Sequence, residues 1–534
     1  MQRLQEPGGL VRLHGSQGNG SKGGGRGIMA ETYDQALELG EGRYSHVFQA
    51  THRKTGARRA VKTAERLGPK TEIADLGLEC PARLAKHEAD ILRCLDHPNI
   101  IRLYEVIEEQ KAVHLVLELC EGGDVLERIL VTAGRLPEAE IASLFVQMLF
   151  AVWHLHIHGV VHRDLKPEHF LFARREPDRE PLPPVVAGMK LIDFGLSHRQ
   201  GLRYAPVGGT PQFMSPEERA GRTPSDLKDR GDLWSLGVVL HTMLVGHYPS
   251  PKLTDAMQKQ YFAKSSWKGI SPECLELLGW LLRQEPRNRP TAAQALQHPW
   301  VAATAQAKIQ LPDLLISRFL PALPAYASAP ALRRIALLAV AREVQDGDAS
   351  SVRRLMQVLT LRCGGDLTRA ALQSLGRSEG SSSLGTVANG LARYFEAVDG
   401  KGSGAIFWTE LLAAVLVSVA APVGSGVGAG PTIREDACLR AFDLLSTGTG
   451  EVSAGALDRV VAGAVPLAES GLTPRSARSS DSRGGAESLH ALVEDVFPSG
   501  TVNSSEFLRL VRGEVRGSGR GGGRAKKGWS VFGW

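Results

Sequence analysis

Two aspartates and two lysines stand in this chain where a polyphosphate could be gripped. Asp164 lies in VVHRDLKPEHFLF, with Lys166 two residues on. A carboxylate so placed accepts a proton from an incoming hydroxyl and orients it, while the nearby ammonium neutralises charge on a moving phosphoryl group. Asp193 ends the apolar run of KLIDFGLS, from where its carboxylate can hold a divalent cation against phosphate oxygens. Lys62 in RRAVKTA offers a second ammonium to phosphates and needs a carboxylate to hold it in place. Glu88 in KHEADILRCLDHPNIIRLYEV is the candidate, on a helical pattern with Ile91 and Leu92 facing inward. LGEGRYSHVFQA, beginning at Leu39, places Gly40, Gly42 and Ser45 in a glycine-rich turn. Without a Cβ, backbone there can approach phosphate oxygens, and Ser45 is small enough to stand for a third glycine.

These residues need a scaffold. From Tyr33 to about Val301 short strand-like runs alternate with longer helical patterns. LVLELCEGGDVLERI reads as a buried strand running into a Gly-Gly link. Farther on come GGTPQFMSPEE, DLWSLGVVL and EPRNRPTAAQALQHPW. Residues 302–345 form a mostly apolar connector. Pro321, Pro324 and Pro330 are expected to break its first half, and ALRRIALLAVAREV to form one amphipathic helix with Leu332, Ile335, Ala336 and Ala339 on one face. From 346 to 512 helical segments alternate with glycine-containing turns, interrupted by PVGSGVGAGP near 425 and SGLTPRSARSSDSRGGAES near 480. The Gly-rich residues 1–32 and the basic, aromatic-ended 513–534 are expected to be disordered.

Composition narrows the class. The 534 residues are 43% apolar and 22% charged, ample for more than one packed core. A net charge of +6 is small for this length and argues against dedicated nucleic-acid binding. The six cysteines form no C-x-x-C pair, so reduced thiols are expected rather than disulfides or a zinc framework. The N-terminus lacks an apolar signal region and a myristoylation glycine. LLAAVLVSVAAPV, from Leu411, is too short to span a bilayer and reads as a buried helix. A cytoplasmic protein without a transmembrane segment is expected, with the nucleus left open.

The ordered motifs from the glycine-rich turn to EPRNRP resemble a protein kinase domain of α+β bilobal fold, with an N-lobe over 33–118 and a C-lobe over 119–301. CLDHPNIIRLYEV, HRDLKPEHFLF and KLIDFGLS are most similar to the calcium-dependent protein kinases, in which a junction and an all-α calmodulin-like EF-hand domain follow the kinase. The resemblance implies ATP and Mg2+ as cofactors and protein hydroxyls as acceptors. It puts Leu39, Val47, Ala60 and the gatekeeper Leu117 around the adenine, with the backbone of Glu118 and Cys120 at its edge. Asp124 falls at the ribose or at a basic substrate side chain, and Lys166 points to Ser/Thr specificity. Thr210 would brace Asp164 and Lys166, Asp232 would pin the catalytic-loop backbone, and Glu217 would pair, buried, with Arg289. A preference for basic protein substrates follows from Asp124 and Glu168. Residues 302–345 become a junction of autoinhibitory type, and 346–512 four EF-hands in contact with the kinase.

The chain departs from that family in three places. His169 stands where the pattern H-R-D-L-x-x-x-N has a metal-binding asparagine. A neutral imidazole can hold a divalent ion, but magnesium prefers oxygen, so tolerance of Mn2+ is expected. The retained Lys62, Glu88, Asp164 and Lys166 favour an active enzyme over the alternative, a pseudokinase scaffold that binds nucleotide without turnover. None of the four calcium-type loops is complete. The first has Thr360, Arg362 and Ala371 at positions 1, 3 and 12. The second keeps Asp399, Ser403, Gly404 and Glu410 as Ca2+ ligands and turn residue, but carries Lys401 at position 3. The third ends on Ala456, and the fourth places Phe497 and Pro498 between Asp495 and Glu506. Apolar residues remain at position 8 (Ile406, Val452, Val502), so paired helices with weak or lost calcium binding are expected. Finally, HRQGLRYAPVGG carries no Ser, Thr, Asp or Glu opposite Arg163, so activation by Ser/Thr phosphorylation of this loop is not expected; Tyr204 is its one phosphorylatable residue.

Overall fold

The computed structural model describes residues 27–42, 45–66, 80–132, 136–173, 188–199, 208–224, 226–250, 253–307, 313–344, 350–400, 402–416, 438–442, 452–453, 497 and 501–512. Five antiparallel strands, β1 (Tyr33–Gly42), β2 (Ser45–His52), β3 (Arg58–Glu65), β4 (Leu103–Glu108) and β5 (Ala112–Leu117), form one sheet in the order β1-β2-β3-β5-β4. Successive side chains on a strand point to opposite faces, and both faces are covered here. On one, Tyr33, Ala50, Val61, Ile107 and Val116 pack with Met29. On the other, Ala60, Ala64, Leu115 and Leu117 pack beneath the helix Pro81–Leu92. β5 is therefore buried along its whole length. Order begins earlier than expected. Ile28–Thr32 is a helical turn rather than part of a disordered arm, because Met29 is 5% exposed and its N–H donates to Glu109 Oε1 at 2.8 Å.

The lower half is helical. Glu138–Ile157 is the one helix among the described residues that is long and apolar enough to cross a membrane, yet Ile141 to Leu155 are continuously buried at the centre of this core. Apolar side chains on every face mark a helix surrounded by protein. Asp229–Val245 crosses Pro272–Leu281 closely because residue 237 is glycine. A Cβ there would meet Leu281 Cβ and Leu282 Cδ2 at 2.9 Å.

A second core gathers helices from both sides of residue 345. Phe319, Leu323, Tyr326, Leu338, Val340, Leu359, Leu391, Trp408 and Leu411 belong to one buried cluster. Two expectations are corrected here. Asp313–Ala327 is a continuous helix with Pro321 and Pro324 inside it, since tertiary packing of Phe319 and Leu323 outweighs the lost backbone bonds. Ala331–Glu343 is a helix as expected, but it is buried on more than one face: Leu337, Leu338, Val340 and Ala341 are enclosed too. Trp408–Leu416 is the buried helix expected from the apolar run. Two short ladders join apolar residues of the calcium-type loops, Leu367 with Ile406 and Val452 with Val502.

The second core rests on the first. Arg59 of β3 pairs with Glu343 at 2.5 Å, both buried, while its guanidinium lies 3.7 Å from the Tyr104 ring centre. Arg102 donates to the carbonyl of Arg342. Gln357 donates to Asn99 Oδ1 at 2.9 Å, and Thr409 Oγ1 to Asp96 at 2.8 Å. Each of these contacts falls on the far side of β3 and β4 or on the turn before β4.

Candidate active site

Pro81–Leu92 starts with a proline at its first position, where the missing N–H costs nothing. Pro81, Ala85, Glu88 and Leu92 share one buried face, so a carboxylate rides on the stripe that docks against the sheet. Glu88 Oε2 meets Lys62 Nζ at 2.7 Å, and the same ammonium reaches Asp193 Oδ1 at 2.8 Å. Glu88 Oε1 also accepts the N–H of Phe194 at 3.3 Å, which ties the helix to the segment after Asp193. Burial pulls Lys62 down, but Asp193 and Glu88 outweigh it and hold the ammonium above its ordinary range. Burial raises Glu88 in spite of Lys62. Burial would raise Asp193 as well, yet Lys62 and then His169 hold it well below the usual carboxylate range. Its side chain stays 42% exposed, open to the cleft.

Asp193 adopts φ +62° and Arg163 φ +70°, the only non-glycine residues with positive φ among those described. Such conformations are costly and persist where surrounding bonds over-determine them. Around Arg163 the bonds come from Asp232, 1% exposed, whose two oxygens accept the N–H of His162 at 2.9 Å and of Arg163 at 2.8 Å; His156 Nε2 lies 2.9 Å away. Phe194, fully buried, stands edge-on to His162 at 5.1 Å.

Asp164 is held from the other side. Its Oδ1 accepts the N–H and the hydroxyl of Thr210 at 2.8 and 2.7 Å. Lys166 Nζ lies 3.2 Å from Thr210 Oγ1 and 3.4 Å from Asp164 Oδ2. Burial would raise Asp164, but His169, Thr210 and Lys166 hold it below its ordinary value, so it is ionised at neutral pH.

His169 joins the two aspartates. Its Nδ1 lies 2.7 Å from the carbonyl of Asp164, and that oxygen can only accept, so Nδ1 carries the proton. Burial pushes the ring down to about 4, so it is neutral at pH 7. Nε2 then presents a lone pair to Asp193 Oδ2 at 3.4 Å. Two acceptors facing one another without a proton are a pair that a cation would bridge. A divalent metal therefore fits the residues present, with Asp193 as the oxygen ligand and His169 as a nitrogen ligand.

Nucleotide-contact candidates line the same cleft. Val47 opposes Lys62 across β2 and β3, and Ala60 opposes Leu117 across β3 and β5. Leu39 is 43% exposed, and Gly40 has open space where a Cβ would stand. Gly42 pairs with Ser45 at the turn. Cys120 lies on the link after β5, partly buried against the main core. The side chain of Glu118 turns away to Lys190 at 3.0 Å, and its N–H donates to the carbonyl of Arg102 at 2.9 Å. Asp124 has a further role: its Oδ1 accepts the N–H of Glu127, and Glu127 reaches back to the Asp124 N–H, a capping box legible in the D-V-L-E spacing. Glu217 and Arg289 form a buried double contact at 2.5 and 2.6 Å.

Of the calcium-loop candidates, Asp399 and Ser403 meet. Asp399 Oδ1 accepts the Ser403 N–H at 2.9 Å and Oδ2 the Gly404 N–H at 2.8 Å, with Gly404 at φ +81°. Glu410 is fully buried, and one of its oxygens accepts the Phe407 N–H at 2.9 Å. Both Asp399 oxygens and one Glu410 oxygen are thus engaged by the loop's own backbone. Glu506 likewise caps its helix through Asn503. Lys401, Tyr204, Asp495, Pro498, most of the third loop and the tail lie outside the described residues. All six cysteines are free.

A sheet lobe set over a helical lobe, with two aspartates, a lysine–glutamate pair and a pinned loop between them, is the architecture of the protein kinase fold, and the chain belongs to the protein kinase family. The family model described as protein kinase domain matches residues 33–301, half of the chain. Among relatives, calcium-dependent protein kinase 14 of Arabidopsis thaliana is 32% identical over 64% of this chain and 62% of its own. CDPK-related kinase 5 of Arabidopsis thaliana is 32% identical over 62% and 57%. Calcium-dependent protein kinase 9 of Oryza sativa subsp. japonica is 31% identical over 73% and 65%. The chain spans between about half and two thirds of the length of the relatives it matches.

Proposed function

We propose that this chain is an active Ser/Thr protein kinase, transferring the γ-phosphoryl of ATP to protein hydroxyls, followed by a calmodulin-like domain that responds weakly or not at all to calcium. The observation that carries this reading is the assembled cleft: Lys62 bonded to both Glu88 and Asp193, and Asp164 braced by Thr210 and Lys166. Lys62 binds phosphate oxygens, and Asp193 with His169 holds the divalent ion. The metal nucleotide supplies the electrophilic phosphorus and a leaving diphosphate. Asp164, kept ionised, orients the acceptor hydroxyl and takes its proton on Oδ2, the oxygen not bonded to Thr210. Lys166 stands where negative charge would build. The glycine turn and the link after β5 seat the nucleotide, and Asp124 and Glu168 favour basic residues near the acceptor.

The calmodulin-like reading is supported by the pairing of position-8 residues, Leu367 with Ile406 and Val452 with Val502, as in coupled helix–loop–helix units. Weak calcium response is supported by Ala371 at position 12 of the first loop and by the self-satisfied Asp399 of the second. The packing of the junction through Arg59–Glu343, and of the following domain through Gln357–Asn99 and Thr409–Asp96, is proposed as the regulatory contact.

Incorporation of radiolabelled phosphate from ATP into a basic Ser/Thr peptide tests the whole reading, run with magnesium or manganese and with calcium or a chelator. Transfer that does not change with calcium is expected. No transfer in either metal, with ATP still bound by calorimetric titration, would establish the nucleotide-binding scaffold instead.

A further inference from the structure

Three side chains that neither the phosphate cleft nor the calcium-type loops employ meet where the two cores touch. His154 lies in the last turn of Glu138–Ile157 and His158 one turn on, just past its end, so they share a face. Asp366 comes from the turn after Ser350–Cys363. Each offers a ligand atom, and those atoms lie within 4.8 Å of one another.

Two details point to a cation rather than to packing alone. His154 is only 5% exposed, and its Nε2 is buried without a hydrogen-bond partner. Buried polar atoms are nearly always satisfied, so an orphan imidazole nitrogen asks for a ligand. His158 Nδ1 donates to the carbonyl of His154 at 2.8 Å, which leaves its Nε2 as a lone pair, the arrangement by which a backbone carbonyl orients a metal-binding imidazole. Asp366 falls at position 7 of the first calcium-type loop, where calcium would take the backbone carbonyl and not the side chain. That carbonyl accepts the Thr368 N–H at 2.8 Å, and the carboxylate lies near the histidines instead. Phe407 packs against both imidazoles and His97 stacks on His154 at 4.9 Å, a shell that limits water. His97 spends its Nδ1 on the Asn99 N–H and is not counted as a ligand.

We propose that His154, His158 and Asp366 form a zinc-class site that clamps the C-terminal helices onto the catalytic domain. Two imidazole nitrogens and one carboxylate oxygen suit Zn2+ better than Mg2+ or Ca2+, and three protein ligands leave a fourth position for water. Tetrahedral zinc ligands stand roughly 3.3 Å apart, so the half-exposed Asp366 and His158 must close in by rotation on binding. Because the ligands come from both cores, zinc binds the docked arrangement and stabilises it by mass action.

The test uses the full chain, stripped with chelator and titrated with Zn2+ alone, beside D366N, H158Q and H169N. H169N removes the cleft histidine and so separates zinc taken up there. One tightly held equivalent is expected in wild type and H169N. At least about a 10-fold loss of affinity is expected in D366N and H158Q. Zinc should raise the melting temperature of wild type but not of those two. X-ray absorption of the zinc-loaded wild type needs no variant: two imidazoles with only oxygen or nitrogen neighbours support the site. A thiolate shell, the absence of a stoichiometric equivalent, or unchanged affinity in both D366N and H158Q would overturn it.

Discussion

At position 169 an imidazole gives one nitrogen to the Asp164 carbonyl and turns the other toward Asp193. An asparagine there would supply an amide oxygen, which magnesium prefers; a nitrogen donor shifts the preference toward manganese. His169→Asn is expected to raise magnesium-supported turnover several-fold and to narrow the manganese-to-magnesium rate ratio, measured by steady-state kinetics in each metal. Equal rates for wild type and variant in both metals would remove the ligand role. Asp164→Asn keeps the Thr210 contacts in shape but cannot take a proton. A fall of about 10²–10⁴-fold in turnover with little change in nucleotide affinity is expected; comparable loss of nucleotide binding would show that Asp164 is structural. The H-R-D-L and D-F-G runs made these residues legible, since each lies in a short contiguous motif. The tautomer of His169 was not, because it depends on a tertiary bond to the carbonyl of Asp164, five residues back.

Elements place these groups through buried polar anchors. The short helix Pro216–Arg219 is tied to the far end of the lower lobe by Glu217 and Arg289, and Arg289 is almost wholly enclosed. Burial would raise Glu217, but Arg289 holds it below the ordinary range. Glu217→Gln strands a buried guanidinium, and a loss of about 3–5 kcal/mol is expected by denaturant unfolding of the kinase transition. A loss under about 1 kcal/mol would mean that the guanidinium is satisfied by the carbonyls of Arg283, Gln284 and Arg230, which it also reaches. This pairing was readable from S-P-E-E and E-P-R-N-R-P taken together. The helix Asp313–Ala327 was not, since local rules place a break at Pro321 and Pro324 and only the burial of Phe319, Leu323 and Tyr326 overrides them.

Across the whole molecule, neutral histidines are built into both lobes of the catalytic domain. Burial lowers His52 to about 4, His97 to about 3, His169 to about 4 and His241 to about 4, with His154 also well below its ordinary 6.5. In the unfolded chain these groups take up protons near pH 6.5, and in the folded protein only far lower. Between those values the unfolded state binds more protons, so stability rises with pH. It is therefore complete above about pH 6.5 and lost progressively as pH falls toward 4. Melting temperature should drop steadily over that range and stay flat from pH 7 to 8, by calorimetry in metal-free buffer. A flat profile down to pH 4.5 would show these rings protonated in the fold. The docking of the two cores through Arg59 and Glu343, 284 residues apart, belongs to this scale as well.

Composition and motif order determined the class of fold, the residues that meet in the cleft and the incomplete ligand pattern of the calcium-type loops, because each is written in residues close together along the chain. Tertiary structure alone decided which lone pair His169 shows to Asp193, that the proline-bearing helix survives, and that His154, His158 and Asp366 converge. Those outcomes rest on burial and on partners far apart in sequence, where local propensity and spacing carry no information.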